Sequence, residues 1–161
     1  MESVTPQDFR TLLSHVASGV TVITAVDRSR QVGAMTASAV TAVSIEPPLL
    51  LVCVNHKDPL HELMQRAVVV VVNALANEQE TLSRQFSGAP ENRFNNVNHH
   101  EGAKGVPLID GVVAQIVCEP WQAVPAGDHT IFLGRVTGGT RFDRSPLLHY
   151  RARYATTSDL P

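Results

Sequence analysis

The chain has 161 residues, 13 basic against 15 acidic side chains for a net charge of −2, and 43% hydrophobic residues. That length fits one domain, residues 1–161, with enough apolar material for a core. The near-neutral, scattered charge excludes an electrostatic footprint for nucleic acid or an acidic membrane surface. No apolar run is long enough to cross a bilayer and no basic-then-apolar leader follows Met1, so a soluble, cytoplasmic protein is expected.

Thr5-Pro6-Gln7-Asp8 carries a capping hydroxyl, a proline suited to the first helical position and an acid at the positive end of the helix dipole. Phe9, Leu12, Leu13 and Val16 then recur at helical spacing, which predicts a short amphipathic helix ending near Ser18-Gly19. Val20 to Val26 is β-branched and nearly alternating, and Asp27-Arg-Ser-Arg30 is a polar turn, so a strand and hairpin follow. The next stretch, Gly33 to Pro48, mixes small, hydroxyl and β-branched residues and closes on a double proline. It reads as extended chain whose short side chains leave room for a flat ligand against the backbone, the alternative being an ordinary closely packed strand.

Leu49 to Asn55 and Val68 to Ala74 are continuous apolar runs, each predicting a buried strand. Between them Asp58 and Pro59 open a helix running to about Arg66. Asn77, with Glu80 three residues on, predicts a capped helix ending near Gly88. From Gly88 to Asp110 periodicity is lost, and a long loop is expected. Strands resume from Gly111 to Cys118, across Thr130 to Val136 and from Leu147 to Tyr154, with a frayed tail beyond. About six strands against three short helices, without regular βαβ alternation, predict a mainly β fold: a largely antiparallel sheet closed into a barrel.

Few residues stand out for chemistry. Neither Gly-x-Ser-x-Gly, Gly-x-Gly-x-x-Gly nor a P-loop occurs. Cys53 and Cys118 sit in apolar runs and read as small hydrophobes, and His99-His100 lacks a third ligand at zinc spacing, so no metal site is expected. His129, entering a strand from Gly127-Asp128, is a titratable imidazole at the lip of the barrel, able to bind a ligand or to remain a plain surface residue. Asn73 is an amide inside an apolar strand and needs partners, most simply a neighbouring loop.

Taken together, Ala17 to Thr24, Gly33-Ala-Met-Thr-Ala-Ser38 with Val43 to Pro48, Leu51 to Asn55, Val72 to Leu75, Arg93-Phe94, Gly127 to Gly134 and Pro146 to Arg151 resemble, in order and spacing, the flavin reductase-like proteins. The resemblance runs from about Phe9 to Tyr154. It implies a homodimeric, antiparallel six-stranded split β-barrel of Greek-key type that binds FMN or FAD. It also implies hydride transfer from NADH or NADPH to the flavin, and delivery of reduced flavin to a separate monooxygenase component. By position, Thr36, Ala37 and Ser38 match residues that hold the isoalloxazine, and Cys53, Val54 and Asn55 the strand end beside it. Lys57 and Asp58 fall in the loop that meets the ribityl and phosphate. Phe86 and Arg93 match a helix and loop lining the cofactor, His129 the histidine facing the nicotinamide, and Tyr150 and Arg151 a pair near the flavin edge.

Hydride transfer needs two flat rings stacked in a water-poor slot rather than a strong acid or base, so His129 reads as an orienting residue more than a general base. Two positions depart from the family pattern: Ser38-Ala-Val-Thr-Ala42 lacks an aromatic wall, and His56-Lys-Asp-Pro59 replaces hydroxyls with one cation and one anion. Two readings compete with a reductase: a split-barrel protein that retains flavin or another flat cofactor without turnover, and a barrel with no ligand.

Overall fold

The structure, a computed structural model, describes residues 3–158. Its elements in chain order begin with α1 (Pro6–Ser14), β1 (Ser18–Gly19), β2 (Thr21–Asp27), β3 (Val32–Ala37), β4 (Val40–Ser44) and β5 (Leu49–Asn55). Then come α2 (Leu60–Arg66), β6 (Ala67–Ala74), α3 (Glu80–Phe86), β7 (His99–Glu101) and β8 (Pro107–Ile109). The chain ends with β9 (Ala114–Ala126), β10 (His129–Arg141), β11 (Leu148–Tyr150) and β12 (Arg153–Ala155). The fold is mainly β with three short α-helices, as composition and patterning predict.

The main sheet is antiparallel, in the order β3-β2-β6-β9-β10-β5-β4. It has seven strands rather than six, and no hydrogen-bonded ladder joins its two edges, β3 and β4. Those edges are nevertheless consecutive in the chain, so the sheet curls until Ser38 and Ala39 carry the backbone from one edge to the other. Cys53 N–H donates to Ala39 O across 3.1 Å at that corner.

Alternation sorts side chains between the two faces. Val52, Val54, Val70, Val72 and Phe132 fill the concave side with Ile23 and Ala25, and α2 closes one end by inserting Leu60, Leu63 and Met64. On the other side of β2, Val22 packs with Leu75, Phe86, Ile109 and Leu147. β2 is therefore buried on both faces along its whole length. Burying each of these aliphatic side chains is worth about 1.5–3 kcal/mol, and a one-residue slip would invert the pattern, so the register is tightly specified.

Several elements differ from the sequence reading. Thr5 caps α1 as expected, accepting from Asp8 N at 3.1 Å, but the helix ends at Ser14 and none of its residues is buried. Phe9, Leu12, Leu13 and Val16 are each at least half exposed, so the apolar face is left uncovered by the described residues. The box before α3 is shifted: Gln79 Oε1, not Glu80, reaches back, to Ala76 N at 2.9 Å. The expected loop from 88 to 110 contains the β7–β8 hairpin, held where Asn73 Oδ1 accepts from Ile109 N. Asn73 thus pins a neighbouring segment, while its amide donates to Val22 O and Thr24 Oγ1. The strand expected after Pro146 is a short hairpin, β11–β12, turning at Arg151 and Ala152, both at positive φ. Of the tail expected to fray, residues 159–161 lie outside the described residues.

Candidate active site

The site is built where β5 ends and β10 begins. Asn55 stands opposite His129, Val54 opposite Thr130 and Cys53 opposite Ile131. Since Val52, Val54 and Phe132 face the core, alternation puts Cys53, Asn55, His129 and Ile131 on the outer, convex face. Burial pushes the Cys53 thiol up, so it is a neutral apolar wall at pH 7 and not a nucleophile. An apolar cavity of about 210 Å³ between the end of α2 and the bend of β9 and β10, lined by Val52, Met64, Trp121 and Phe132, opens elsewhere and contains none of these site residues.

The segment from His56 to Pro59 leaves β5 in a tight turn. Asn55 Oδ1 accepts from Lys57 N at 2.9 Å, Asn55 O accepts from Asp58 N at 3.0 Å, and His56 N donates to Asp128 O at 3.0 Å. Asp58 Oδ1 then accepts from Leu60 N at 2.8 Å, the helix-starting contact expected of it. Arg93 closes on the same carboxylate with both Nη atoms, at 2.9 and 3.2 Å, while it also donates to Ala34 O at 2.6 Å and Gly88 O at 3.1 Å. Asp58 therefore presents no free negative charge to an incoming phosphate. Lys57 is exposed, and its ammonium has no partner among the described residues.

At the facing strand, Asp128 Oδ1 lies 2.7 Å from His129 Nδ1. That hydrogen bond holds the Asp128 carboxyl below its ordinary range. A carboxylate at Nδ1 favours the proton there, leaving Nε2 as the ring atom available to a ligand.

Beside β5, β3 is an edge strand, so half its backbone N–H and C=O groups have no ladder partner. Ala37 is buried and Ser38 exposed, and the corner they open meets Cys53 through Ala39. Thr36 is differently engaged: its hydroxyl donates to Ser83 O at 2.6 Å, and Ser83 Oγ meets Tyr154 Oη at 2.9 Å. It anchors α3 to the platform instead of offering a free hydroxyl.

The structure thus brings together Ala37, Ser38, Cys53, Val54, Asn55, Lys57, Asp58, Arg93 and His129. Val54 belongs to the inner face. Phe86 is fully buried, edge-on to Phe94 with centroids 5.3 Å apart, and supports the loop from within the core. Tyr150 ends β11 in the separate sheet β1-β11-β12 and Arg151 opens the turn after it, the guanidinium 5.3 Å from the Tyr150 ring centroid. Sequence reasoning missed His61 and Thr130, which meet His56 beneath the His129 strand end. The only linear trace of that grouping is the His56–His61 spacing across a helix start.

Comparison with known proteins bears directly on this arrangement. Residues 13–158 match the model of the flavin reductase like domain. The reductase component of an FADH(2)-dependent resorcinol hydroxylase from Rhizobium sp. (strain MTP-10005) is 40% identical over 156 residues, covering 94% of this chain and 87% of the relative. An NADH-dependent flavin reductase from Rhodococcus sp. is 34% identical, covering 94% and 86%. Among solved structures, the NADH:FAD oxidoreductase SgcE6 of Streptomyces globisporus C-1027, in complex with NAD and FAD fragments, superposes with a TM-score of 0.87 at 34% identity and 96% coverage of both chains. With family match, relatives and fold in agreement over nearly its whole length, the chain belongs to the flavin reductase like domain family.

Proposed function

We propose that the protein is an NAD(P)H:flavin oxidoreductase that reduces FMN or FAD and supplies the reduced flavin to a partner monooxygenase. The observation that carries this reading is the convergence, at one end of β5 and β10, of an edge-strand platform, a neutral Cys53 wall, and a Lys57 ammonium and a His129 Nε2 that are both without a partner among the described residues. Those groups fit a flat ring with a phosphorylated tail: backbone donors and acceptors for the ring, a cation for the phosphate. When bound, the flavin takes a hydride from the nicotinamide and a proton from solvent, so the residues need not supply a strong acid or base.

Each residue then has a positional task. Ser38 and the open backbone of β3 hold the ring against Cys53. Asn55 shapes the turn that presents Lys57, and the Asp58–Arg93 pair keeps that turn in place without opposing the phosphate. His129, fixed by Asp128 at Nδ1, offers Nε2 to the carboxamide of the nicotinamide and orients the donor. Cofactor and NAD(P)H bind between two copies of the chain, whose curled sheets are split barrels. A homodimer would cover the apolar face of α1 and the Leu51 and Ile131 face of the main sheet, which a single chain leaves open.

Steady-state oxidation of NADH and NADPH, followed with FMN, FAD or no flavin, tests the reading. Turnover that requires added flavin supports it. Flavin binding without turnover would leave a protein that only retains the cofactor.

A further inference from the structure

Thr130 is 3% exposed and sits on the inner side of β10, next in sequence to His129. Its Oγ1 lies 2.8 Å from His61 Nε2 and 3.2 Å from His56 Nε2. The two imidazoles meet edge-on with centroids 4.8 Å apart, and His61 rests against Phe132 at 5.7 Å. A hydroxyl has one proton to give and lone pairs to receive. Between two neutral imidazoles it donates to one Nε2 and accepts from the other, so the rings must take opposite tautomers and the three groups form a directed chain.

The placement of that chain gives it a task. His56 opens the turn after β5, and His61 lies in the first turn of α2. One hydroxyl therefore ties both ends of the Lys57 turn to β10, directly beneath the strand end that carries His129. The far side of the same turn is tied by Asp58 to Arg93. Lys57 stands between the two ties, its ammonium without a partner among the described residues.

We propose that Thr130, His56 and His61 are positioning residues for flavin binding: the shared hydroxyl holds the turn so that Lys57 meets the flavin phosphate. The inference rests on the flavin reductase reading above and extends it to three residues on the opposite face of β10. It leaves hydride transfer alone, because the Asp128–His129 bond is made between two side chains that the Thr130 hydroxyl does not touch, and the His56 link to Asp128 runs through backbone atoms.

The test uses the full-length protein and whichever of FMN and FAD the wild type binds, with riboflavin as the probe lacking phosphate. Thr130→Val keeps the side-chain shape and removes the hydroxyl, Thr130→Ser restores it, and His56→Ala alters an exposed residue. Breaking the Thr130–His56 contact should raise the flavin dissociation constant and KM about ten-fold in Thr130→Val and in His56→Ala. The double variant should be no worse than either single one, since both break one unit. Thr130→Ser should bind within about two-fold of wild type, kcat at saturating flavin should hold within about two-fold in every variant, and riboflavin affinity should not change. Wild-type flavin affinity in both Thr130→Val and His56→Ala would overturn the inference. So would a loss confined to Thr130→Val, which would mark ordinary strand packing, or a fall in kcat with unchanged flavin affinity. A wild-type protein that binds no flavin would overturn the functional reading itself, and that result is visible before any variant is made.

Discussion

Arg93 and Asp58 meet in a two-pronged ion pair, Nη2 to Oδ2 at 2.9 Å and Nη1 to Oδ1 at 3.2 Å, that fastens the segment after α3 to the turn after β5. The Arg93 side chain is only 7% exposed and that of Asp58 20%, so neither has water enough to replace its partner. Removing one member of such a pair leaves a charge stranded. Arg93→Met, which also orphans the carbonyls of Ala34 and Gly88, should lower unfolding stability by about 3 kcal/mol. Urea denaturation followed by circular dichroism would measure it, and a loss below about 1 kcal/mol would mean that the pair is not a structural tie.

Lys57 bears on the phosphate. If its ammonium meets the flavin tail, Lys57→Ala should weaken FMN binding about ten-fold and flatten its salt dependence, with riboflavin affinity unchanged. Fluorescence titration with the two flavins side by side separates this from a general loosening of the site, which would weaken both.

His129→Ala addresses the nicotinamide. With the ring gone, KM for NADH should rise about ten-fold while the flavin dissociation constant stays within about two-fold. An equal loss of flavin binding would move the histidine from the donor side of the site to the flavin side.

The acid limb of stability is set away from the site. Asp27, its side chain 5% exposed, accepts from Ser29 Oγ at 2.7 Å, Arg66 Nε at 2.8 Å and Gln31 N at 2.9 Å. The Ser29 hydroxyl first, and then Arg66, hold its carboxyl down at about 2, against an ordinary value of 3.8. A carboxyl depressed in the folded state binds fewer protons there than in the unfolded chain. Its contribution is therefore full above 3.8 and is lost as the pH falls toward 2. Melting temperatures between pH 5 and pH 2 should fall more gently in Asp27→Asn than in wild type, and parallel curves would contradict the assignment.

Local chemistry made parts of the fold legible in advance. The Thr5 cap and the helix opening after Asp58 rest on contacts within a few residues, while the Leu49 to Asn55 and Val68 strands show as continuous apolar runs although their ladder partners are distant. The β7–β8 hairpin was not legible, because its short segments lack alternation and are held from outside, by Asn73 at Ile109 N and by Thr24, whose hydroxyl donates to Pro107 O. The helix face of Phe9, Leu12 and Leu13 was readable as apolar, but its spacing says nothing about which chain covers it.

The same limit applies to the site. His129, Asn55 and Arg93 stood out through their motifs. Position along the chain could not distinguish Phe86 lining a cofactor from Phe86 buried beneath the loop, nor reveal that Thr36 is already engaged by Ser83. Thr130 was invisible for a different reason: its partners are 69 and 74 residues away, and only the register of β10 against β5 brings them together.

Anaerobic stopped-flow absorbance at the oxidised flavin band, after mixing the protein and FMN or FAD with NADH or NADPH, shows whether the protein passes hydride to flavin. The reductase reading predicts rapid bleaching with at least one flavin and dinucleotide pair, far faster than the same pair shows without protein. Persistence of the oxidised band, in protein that binds the flavin by fluorescence titration, would contradict it.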